Sequence, residues 1–223
     1  MVGFHLCYDL TALKGMVLWF FVPPFEDIWR ASISWTFLLL AGCMCALSRS
    51  NLRRSVVYLA VAALITLVTT LAGVDLPITF GIIFCMGAST LVAWALERFG
   101  VAPHGPVAAM VLASLFVLCL EVPSGRVGLG PLSIALPHSM YGTDWLSWLG
   151  LPGPTFSSGD YYPLLPYCLL YLCGSALGSW WSARGWPRFC SSLHARPLEF
   201  VGRHSLALYV LHQPLLLVLL GLL

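Results

Sequence analysis

The amino-acid sequence predicts an all-α integral membrane protein in which about seven transmembrane helices form one bundle with a long external loop. The composition is the first reason: 59% of the 223 residues are hydrophobic and only 9% are charged, whereas a soluble domain carries about 25% charged residues. The second reason is that the apolar residues form long runs, and about 20 apolar residues cross a bilayer. The lipid bilayer is therefore the first partner that the sequence predicts.

The apolar runs set the expected order of the spans. They lie at Met1–Phe21, Ile28–Leu47, Val56–Leu71, Ile78–Leu96, Val107–Leu120, Leu164–Ser182 and Ser205–Leu223. The first run lacks the basic start and small-residue cleavage site of a signal peptide, so we interpret it as a span. The sequence shows no internal repeat and no second domain, and residues 1–223 are expected to form a single transmembrane domain.

Arginines concentrate in alternate connections and predict the orientation. Arg49, Arg53 and Arg54 follow the second predicted span, and several more precede the last one. By the positive-inside rule this side is cytoplasmic, which places the C-terminus outside. The long connection Glu121–Pro163 is then external, and we expect a short interfacial helix around Asp144–Leu149.

Charge and cysteine content exclude several classes of function. The formal net charge of +2 does not predict nucleic-acid binding, because no basic cluster is interleaved with aromatic residues. The eight cysteines lie mostly within apolar runs without paired spacing, so we predict neither a disulfide framework nor a metal site. Phosphate-binding loops, nucleophile elbows and zinc-protease motifs are absent from the sequence.

Two ionisable residues occupy the first predicted span. His5 and Asp9 are spaced i, i+4 and share one helix face. A carboxylate beside an imidazole fixes its tautomer, which suits a general base. The same pair is also consistent with a structural contact that joins two helices, and both interpretations stay open.

The last predicted span carries a second polar group. On a helix Ser205, Tyr209 and His212 fall on one narrow face, and His204 lies next to it. Arg203 stands at the cytoplasmic boundary, where it either binds an anionic ligand or anchors the helix. Gln213 precedes a proline, and its amide suits the groups that a kink exposes.

A third polar group precedes the sixth predicted span. Asp160 is followed by Tyr161 and Tyr162. A carboxylate beside aromatic rings is typical of a sugar-binding rim. Alternatively, Ser157 or Ser158 caps this helix and Asp160 interacts with its dipole.

Five segments together resemble a known family. The sequence contains "MVGFHLCYDL", "FLLLAGCMCALSRSNLRR", "ITFGIIFCMG", "DYYPLLPY" and "LEFVGRHSLALYVLHQP" in this order. It is similar to bacterial membrane proteins of the heparan-α-glucosaminide N-acetyltransferase-like family, within the transmembrane acyltransferases. The resemblance implies an enzyme that takes an acetyl group from cytoplasmic acetyl-CoA. It also implies transfer to a hydroxyl or amine of a sugar or glycan at the external face.

The resemblance also assigns roles to the polar residues. It implies that His5 is the catalytic base. From the residues themselves we expect Asp9 to orient His5, and His212 or Tyr209 to position the thioester or stabilise the oxyanion. At about 1.5 Å per residue, His5 and His212 should lie at similar depths from the cytoplasmic boundary. Acetyl-CoA is expected to bind the basic residues at the cytoplasmic side. The acceptor is expected to bind a separate set of polar residues. The expected acetyl-CoA residues are Arg53, Arg54, Arg203, His204 and Ser205, and the expected acceptor residues are Tyr209, Gln213, Asp160, Tyr161 and Tyr162.

Further expectations follow from the same comparison. Members of the wider group commonly carry an arginine upstream of the first-span histidine, whereas His5 stands close to Met1. We therefore expect the start of the first span to be missing and activity to be impaired. The alternatives are a small transporter or flippase, or an inactive structural remnant. The expected location is the bacterial inner membrane, and the Gly174–Gly178 spacing suits either internal packing or oligomer formation.

Overall fold

The computed structural model describes residues 1–73, 76–192 and 195–221, and most of these residues are helical. Within these ranges the α-helices are α1 (Val2–Ala12), α2 (Phe25–Cys43), α3 (Asn51–Leu71), α4 (Ile82–Arg98), α5 (Gly105–Leu118), α6 (Leu164–Arg184), α7 (Arg188–Ser192), α8 (Arg196–Arg203) and α9 (Ser205–Leu219). Each predicted span therefore coincides with at least one helix. Leu222 and Leu223, which end the last predicted span, lie outside the described residues.

The chain forms two compact units. One combines Met1–Ser34 with Trp186–Leu223, and we call it the terminal unit. The other comprises Trp35–Gly185, and we call it the central unit. The single domain expected from the sequence stays a prediction.

Three helical segments of the described chain are long and apolar enough to cross a membrane. They are Phe25–Leu47, Asn51–Leu71 and Gly105–Ser124, with 23, 21 and 20 residues. They overlap the second, third and fifth predicted spans, so these runs form helices of the length and composition that a span requires. α9 is also apolar but shorter. The total of about seven spans stays a prediction.

The first predicted span is wrong beyond Ala12. α1 has 11 residues, which is about 16 Å of helix, whereas the hydrocarbon core is about 30 Å thick. Gly15 follows the helix with φ +67°, a left-handed conformation that ends helices. Residues 13–24 continue without regular secondary structure.

The start of α3 is encoded locally. The Ser50 hydroxyl accepts a hydrogen bond from the Arg53 backbone N–H at 3.3 Å, the usual pattern of a serine N-cap. Along the helix Leu64, Leu67 and Leu71 are exposed. These side chains suit a helix whose surrounding solvent is lipid.

Glycines bring α6 against the end of α2 in the central unit. A Cβ added at Gly174 would overlap the Leu39 carbonyl oxygen, and one added at Gly178 would overlap the Cys43 carbonyl oxygen. Gly42 meets the Tyr171 carbonyl oxygen from the opposite helix in the same way. Close backbone approach of this kind is the usual function of small residues between membrane helices. Internal packing therefore accounts for the Gly174–Gly178 spacing, and oligomer formation stays a prediction.

The connection between α5 and α6 contains short elements that the all-α prediction did not include. β1 (Arg126–Val127) and β2 (Ile134–Ala135) form an antiparallel ribbon in which Arg126 pairs with Ala135. The helix expected around Asp144–Leu149 is shorter than predicted, a 3-10 turn at Asp144–Leu146. The external position of this connection stays a prediction.

The glycine contacts predict that Gly174→Ala lowers the stability of the fold. Alanine normally favours a helix over glycine by about 1 kcal/mol, but Gly174→Ala forces two backbones apart. We expect the free energy of unfolding to fall by about 1–3 kcal/mol, measured by tryptophan fluorescence in detergent. Gly202→Ala in α8 is the matched control, because no atom lies within 4 Å of the added Cβ. Equal stability of the two variants would contradict the packing argument.

Candidate active site

The terminal unit brings together two histidines from opposite ends of the chain. The ring centroids of His5 in α1 and His212 in α9 are 4.8 Å apart, with an angle of 58° between the ring planes. The His5 ring also contacts the edge of Phe4, at 5.8 Å between centroids. Neither helix contains a local signal for this contact, which joins residues far apart in the sequence.

The tautomer of His212 follows from its hydrogen bond. Its Nδ1 lies 2.6 Å from the Tyr209 carbonyl oxygen. A carbonyl can only accept, so Nδ1 carries the proton and Nε2 of the neutral ring holds a lone pair. His212 is 8% exposed, and Nε2 has no hydrogen-bond partner among the described residues. A buried lone pair of this kind is suited to receive a proton.

Asp9 pairs with Gln213 in the same unit. The Gln213 amide nitrogen donates to the two carboxylate oxygens of Asp9 at 2.9 and 3.2 Å. The Asp9 side chain is completely buried, so this contact satisfies a group that would otherwise be costly to bury. The predicted contact between Asp9 and His5 is absent from the part of the chain that the structure describes. The carboxylate is directed to a neighbouring helix, and its predicted use in orienting His5 has no contact to support it.

The remaining predicted residues of α8 and α9 differ in their exposure and contacts. The Tyr209 ring lies 5.7 Å from the His212 ring, so the shared face of these two residues agrees with the helical spacing. Arg203 and Ser205 are exposed. His204 is also exposed, and its Nδ1 donates to the Phe200 carbonyl oxygen at 2.9 Å.

The two predicted arginines of the central unit differ in their contacts. Arg53 is exposed. The Arg54 guanidinium donates to the Ala41 carbonyl oxygen at 2.7 Å and to the Tyr58 hydroxyl at 3.2 Å. The first of these bonds joins Arg54 to a carbonyl group near the end of α2. Arg54 thus has a structural use, and Arg53 is the better candidate for ligand binding.

Sequence reasoning missed a buried polar group next to Arg54. The Tyr171 hydroxyl, on a completely buried side chain, lies 2.6 Å from the Thr90 hydroxyl and 3.2 Å from Cys45 Sγ. Hydrogen bonds of this kind are required when such groups are buried. A tyrosine and a threonine within apolar spans were the available signal, but spacing alone does not pair them.

Asp160 caps a different helix from the predicted one. Its carboxylate accepts a hydrogen bond from the Ile82 backbone N–H at 3.1 Å, at the start of α4. Gly81 precedes Ile82, and a Cβ added at Gly81 would lie 2.6 Å from a carboxylate oxygen of Asp160. Ser158 likewise accepts from the Thr79 backbone N–H at 2.9 Å. The predicted cap of the sixth span by Ser157 or Ser158 is therefore wrong, since α6 has no side-chain cap.

The two tyrosines after Asp160 pack against other rings. The Tyr161 hydroxyl donates to the Ser147 carbonyl oxygen at 2.6 Å. Burial, together with the neighbouring phenol of Tyr141, raises the pKa of Tyr161. The Tyr162 ring lies 4.9 Å from the Tyr167 ring. Their use in sugar binding stays a prediction.

The comparisons with known proteins identify the family. The family model described as "Heparan-alpha-glucosaminide N-acetyltransferase, catalytic" matches residues 1–214. The chain belongs to this family. The match includes His5, Asp9, His212 and Gln213, and the family is one of membrane acetyltransferases. The search of curated proteins matched none, and the search of solved structures matched none.

The described residues contain no group of three or more His, Cys, Asp or Glu side chains that could hold a metal ion. The chemistry available at the site is that of two imidazoles beside a hydrogen-bonded carboxylate. This combination supports proton transfer and orientation of a neutral substrate group.

The Asp9–Gln213 contact predicts coupled substitutions. Asp9→Leu or Gln213→Leu alone leaves one polar group buried without its partner, and each should lower the free energy of unfolding by about 1–3 kcal/mol. In the double variant both polar groups are gone, so the loss should be clearly smaller than the sum of the two. The three stabilities can be compared by thermal unfolding in detergent. Additive losses would mean that the two side chains do not stabilise each other.

Proposed function

We propose that this chain is a membrane-embedded acetyltransferase that moves an acetyl group from cytoplasmic acetyl-CoA to a hydroxyl or amine of a sugar or glycan at the external face. The observation that carries the proposal is the contact of His5 with His212 inside a chain of this family. Two imidazoles in one partly buried site can hold and move the proton that acyl transfer releases.

The proposed reaction moves one proton from the acceptor, through His5, to CoA. The acceptor O–H or N–H gives its proton to an imidazole nitrogen of His5 while the acceptor atom attacks the thioester carbonyl carbon. The C–S bond then breaks, and the imidazolium returns the proton to the thiolate of CoA. The products are the acetylated acceptor and free CoA. An alternative route through an acetylated histidine uses the same residues.

The two histidines take different roles in this scheme. His5 is partly exposed, whereas His212 is buried, so His5 is the ring that an acceptor can reach. His212 Nε2 has no hydrogen-bond partner among the described residues, and in this scheme it accepts an N–H of His5 once that ring is protonated. His212 then stabilises the His5 imidazolium, as a carboxylate does in a hydrolase triad. This is the role that the sequence assigned to Asp9.

The other predicted residues fall into groups with less direct support. Arg53 and Arg203 are exposed cations that suit the phosphates of acetyl-CoA, and His204 and Ser205 lie next to Arg203 in the sequence. Tyr209, Gln213 and the Asp160–Tyr162 segment remain proposed contacts of the acceptor. A proton-coupled transporter could use the same histidines, but membership in an acetyltransferase family favours group transfer.

Substitution of the histidines tests the proposal. His5→Ala should lower kcat by at least about 100-fold, and His212→Ala should lower it as well while the protein still inserts and folds. CoA release can be followed with acetyl-CoA and D-glucosamine in detergent. His104→Ala is the control, since His104 is an exposed residue of the central unit bonded to Ser179. Full activity of His5→Ala would exclude His5 as the base.

Substitution of the arginines tests the donor side. Arg53→Gln and Arg203→Gln should each raise the KM for acetyl-CoA about three- to tenfold, with kcat nearly unchanged, because each removes a charge that contacts phosphate. Arg54→Gln should instead lower the thermal stability, since its guanidinium holds the end of α2. Arg30→Gln in α2, which removes a guanidinium paired with Asp27 at 2.8 Å, should leave this KM unchanged. If Arg30→Gln raised KM as much as the other two, the assignment of the donor side would be wrong.

A further inference from the structure

The connection between α5 and α6 contains a pocket that the proposed chemistry does not use. Its volume is about 390 Å³, within the range of about 300–1,000 Å³ that small-molecule sites occupy. The residues that line it include Ser124, Arg126, Ala135, Leu136, His138 and Tyr141. The volume is sufficient for one or two sugar rings.

The backbone around the pocket is held in place by hydrogen bonds. Gly125 forms a turn with φ +81°. The Leu136 backbone N–H donates to the Gly125 carbonyl oxygen at 2.8 Å. The Tyr141 hydroxyl donates to the Val122 carbonyl oxygen at 2.5 Å. Together with the β1–β2 ribbon, these bonds hold the backbone around an open pocket of the central unit.

Arg126 supplies a charged donor with a fixed position. Its Nε and Nη2 donate to the Ser133 hydroxyl at 3.0 and 2.6 Å. A guanidinium has five N–H donors, so three remain after these two bonds. Glu121 is 3.8 Å away, and both side chains are about half exposed, so this ion pair neutralises the charge only weakly.

The rest of the lining complements this cation. His138 is exposed and adds a second group that donates to oxygen. No aspartate or glutamate is among the described residues that line the pocket. Ala135, Leu136 and the Tyr141 ring provide the apolar wall that small-molecule sites combine with a few polar groups.

We propose that this pocket binds an anionic saccharide, with Arg126 contacting its carboxylate or phosphate, His138 contacting the same group and the apolar wall contacting the sugar ring. If the bound saccharide is the acceptor, the site extends the acetyltransferase function proposed above. Binding itself does not require acetyl transfer, so the two proposals can fail separately.

Binding to the purified full chain in detergent, without acetyl-CoA, tests this site. The probes are glucose 6-phosphate, glucuronic acid, neutral glucose and inorganic phosphate, measured by isothermal titration calorimetry. We expect both anionic sugars to bind at least about tenfold more tightly than glucose, because a charge-assisted hydrogen bond contributes about 1.5 kcal/mol or more. Inorganic phosphate should bind more weakly than glucose 6-phosphate, because it lacks the sugar ring.

Two variants and one control complete the experiment. Arg126→Gln should remove the preference for anionic sugars and leave glucose binding unchanged, and His138→Gln should reduce the preference without disturbing the ribbon. Arg98→Gln at the end of α4 is the matched control and should bind as the unchanged protein does. Equal binding of glucose and glucose 6-phosphate, or a preference that survives both pocket substitutions, would overturn the proposal. Equal binding of inorganic phosphate and glucose 6-phosphate would overturn the saccharide part of it.

Discussion

The hydrogen bond between Gln213 and Asp9 is the contact on which the candidate site depends. A completely buried carboxylate requires hydrogen bonds, because its transfer from water to an apolar surrounding is otherwise very unfavourable. The Gln213 amide supplies them at 2.9 and 3.2 Å, and so fixes where α1 lies along α9. His5 is one helical turn before Asp9, and His212 is adjacent to Gln213. The same register that satisfies the carboxylate therefore brings the two imidazole rings together.

The central unit applies the same rule at its helix ends. In an apolar surrounding no water is present to satisfy the terminal N–H and C=O groups. Asp160 accepts from the first turn of α4, Arg54 donates to a carbonyl at the end of α2, and Asn51 donates to the Cys45 carbonyl oxygen. Charged residues in membrane helices are commonly interpreted as functional. Here Arg54 of α3 donates to a carbonyl near the end of α2, and Asp160, which lies between helices, caps the start of α4. Their charge by itself therefore does not identify a ligand site.

The sequence predicted the location of the helices, which depends on composition. It missed the contacts between residues that are far apart in the chain. Apolar runs correctly located helices in each predicted span, because hydropathy summed over many residues outweighs local exceptions. The first span was overextended, since a single glycine in the left-handed region, Gly15, ended the helix within an apolar run. The capping of α4 by Asp160 joins residues that are 78 positions apart. No local pattern contains that information.

The candidate site shows the same division more clearly. The i, i+4 spacing correctly placed His5 and Asp9 on one helix, but spacing gives only the face and not the partner. The Asp9 carboxylate pairs with Gln213 across 204 positions. A glutamine beside a proline was interpreted through its own helix, because a kink leaves backbone groups to satisfy. The sequence predicted His5 and His212 at one depth, and the structure adds the direct contact between their rings.

Because Asp9 pairs with Gln213 and not with His5, a different group contacts the proposed base, His5. With Asp9 bound to an amide, the group in contact with the His5 ring is a second imidazole, whose Nε2 has no hydrogen-bond partner among the described residues. A neutral imidazole stabilises an imidazolium less than a carboxylate does. The exclusion of water that accompanies burial protects a thioester from hydrolysis. In a membrane enzyme, where the catalytic groups lie in an apolar surrounding, an imidazole pair is therefore a consistent choice for moving one proton between an acceptor and a thiolate.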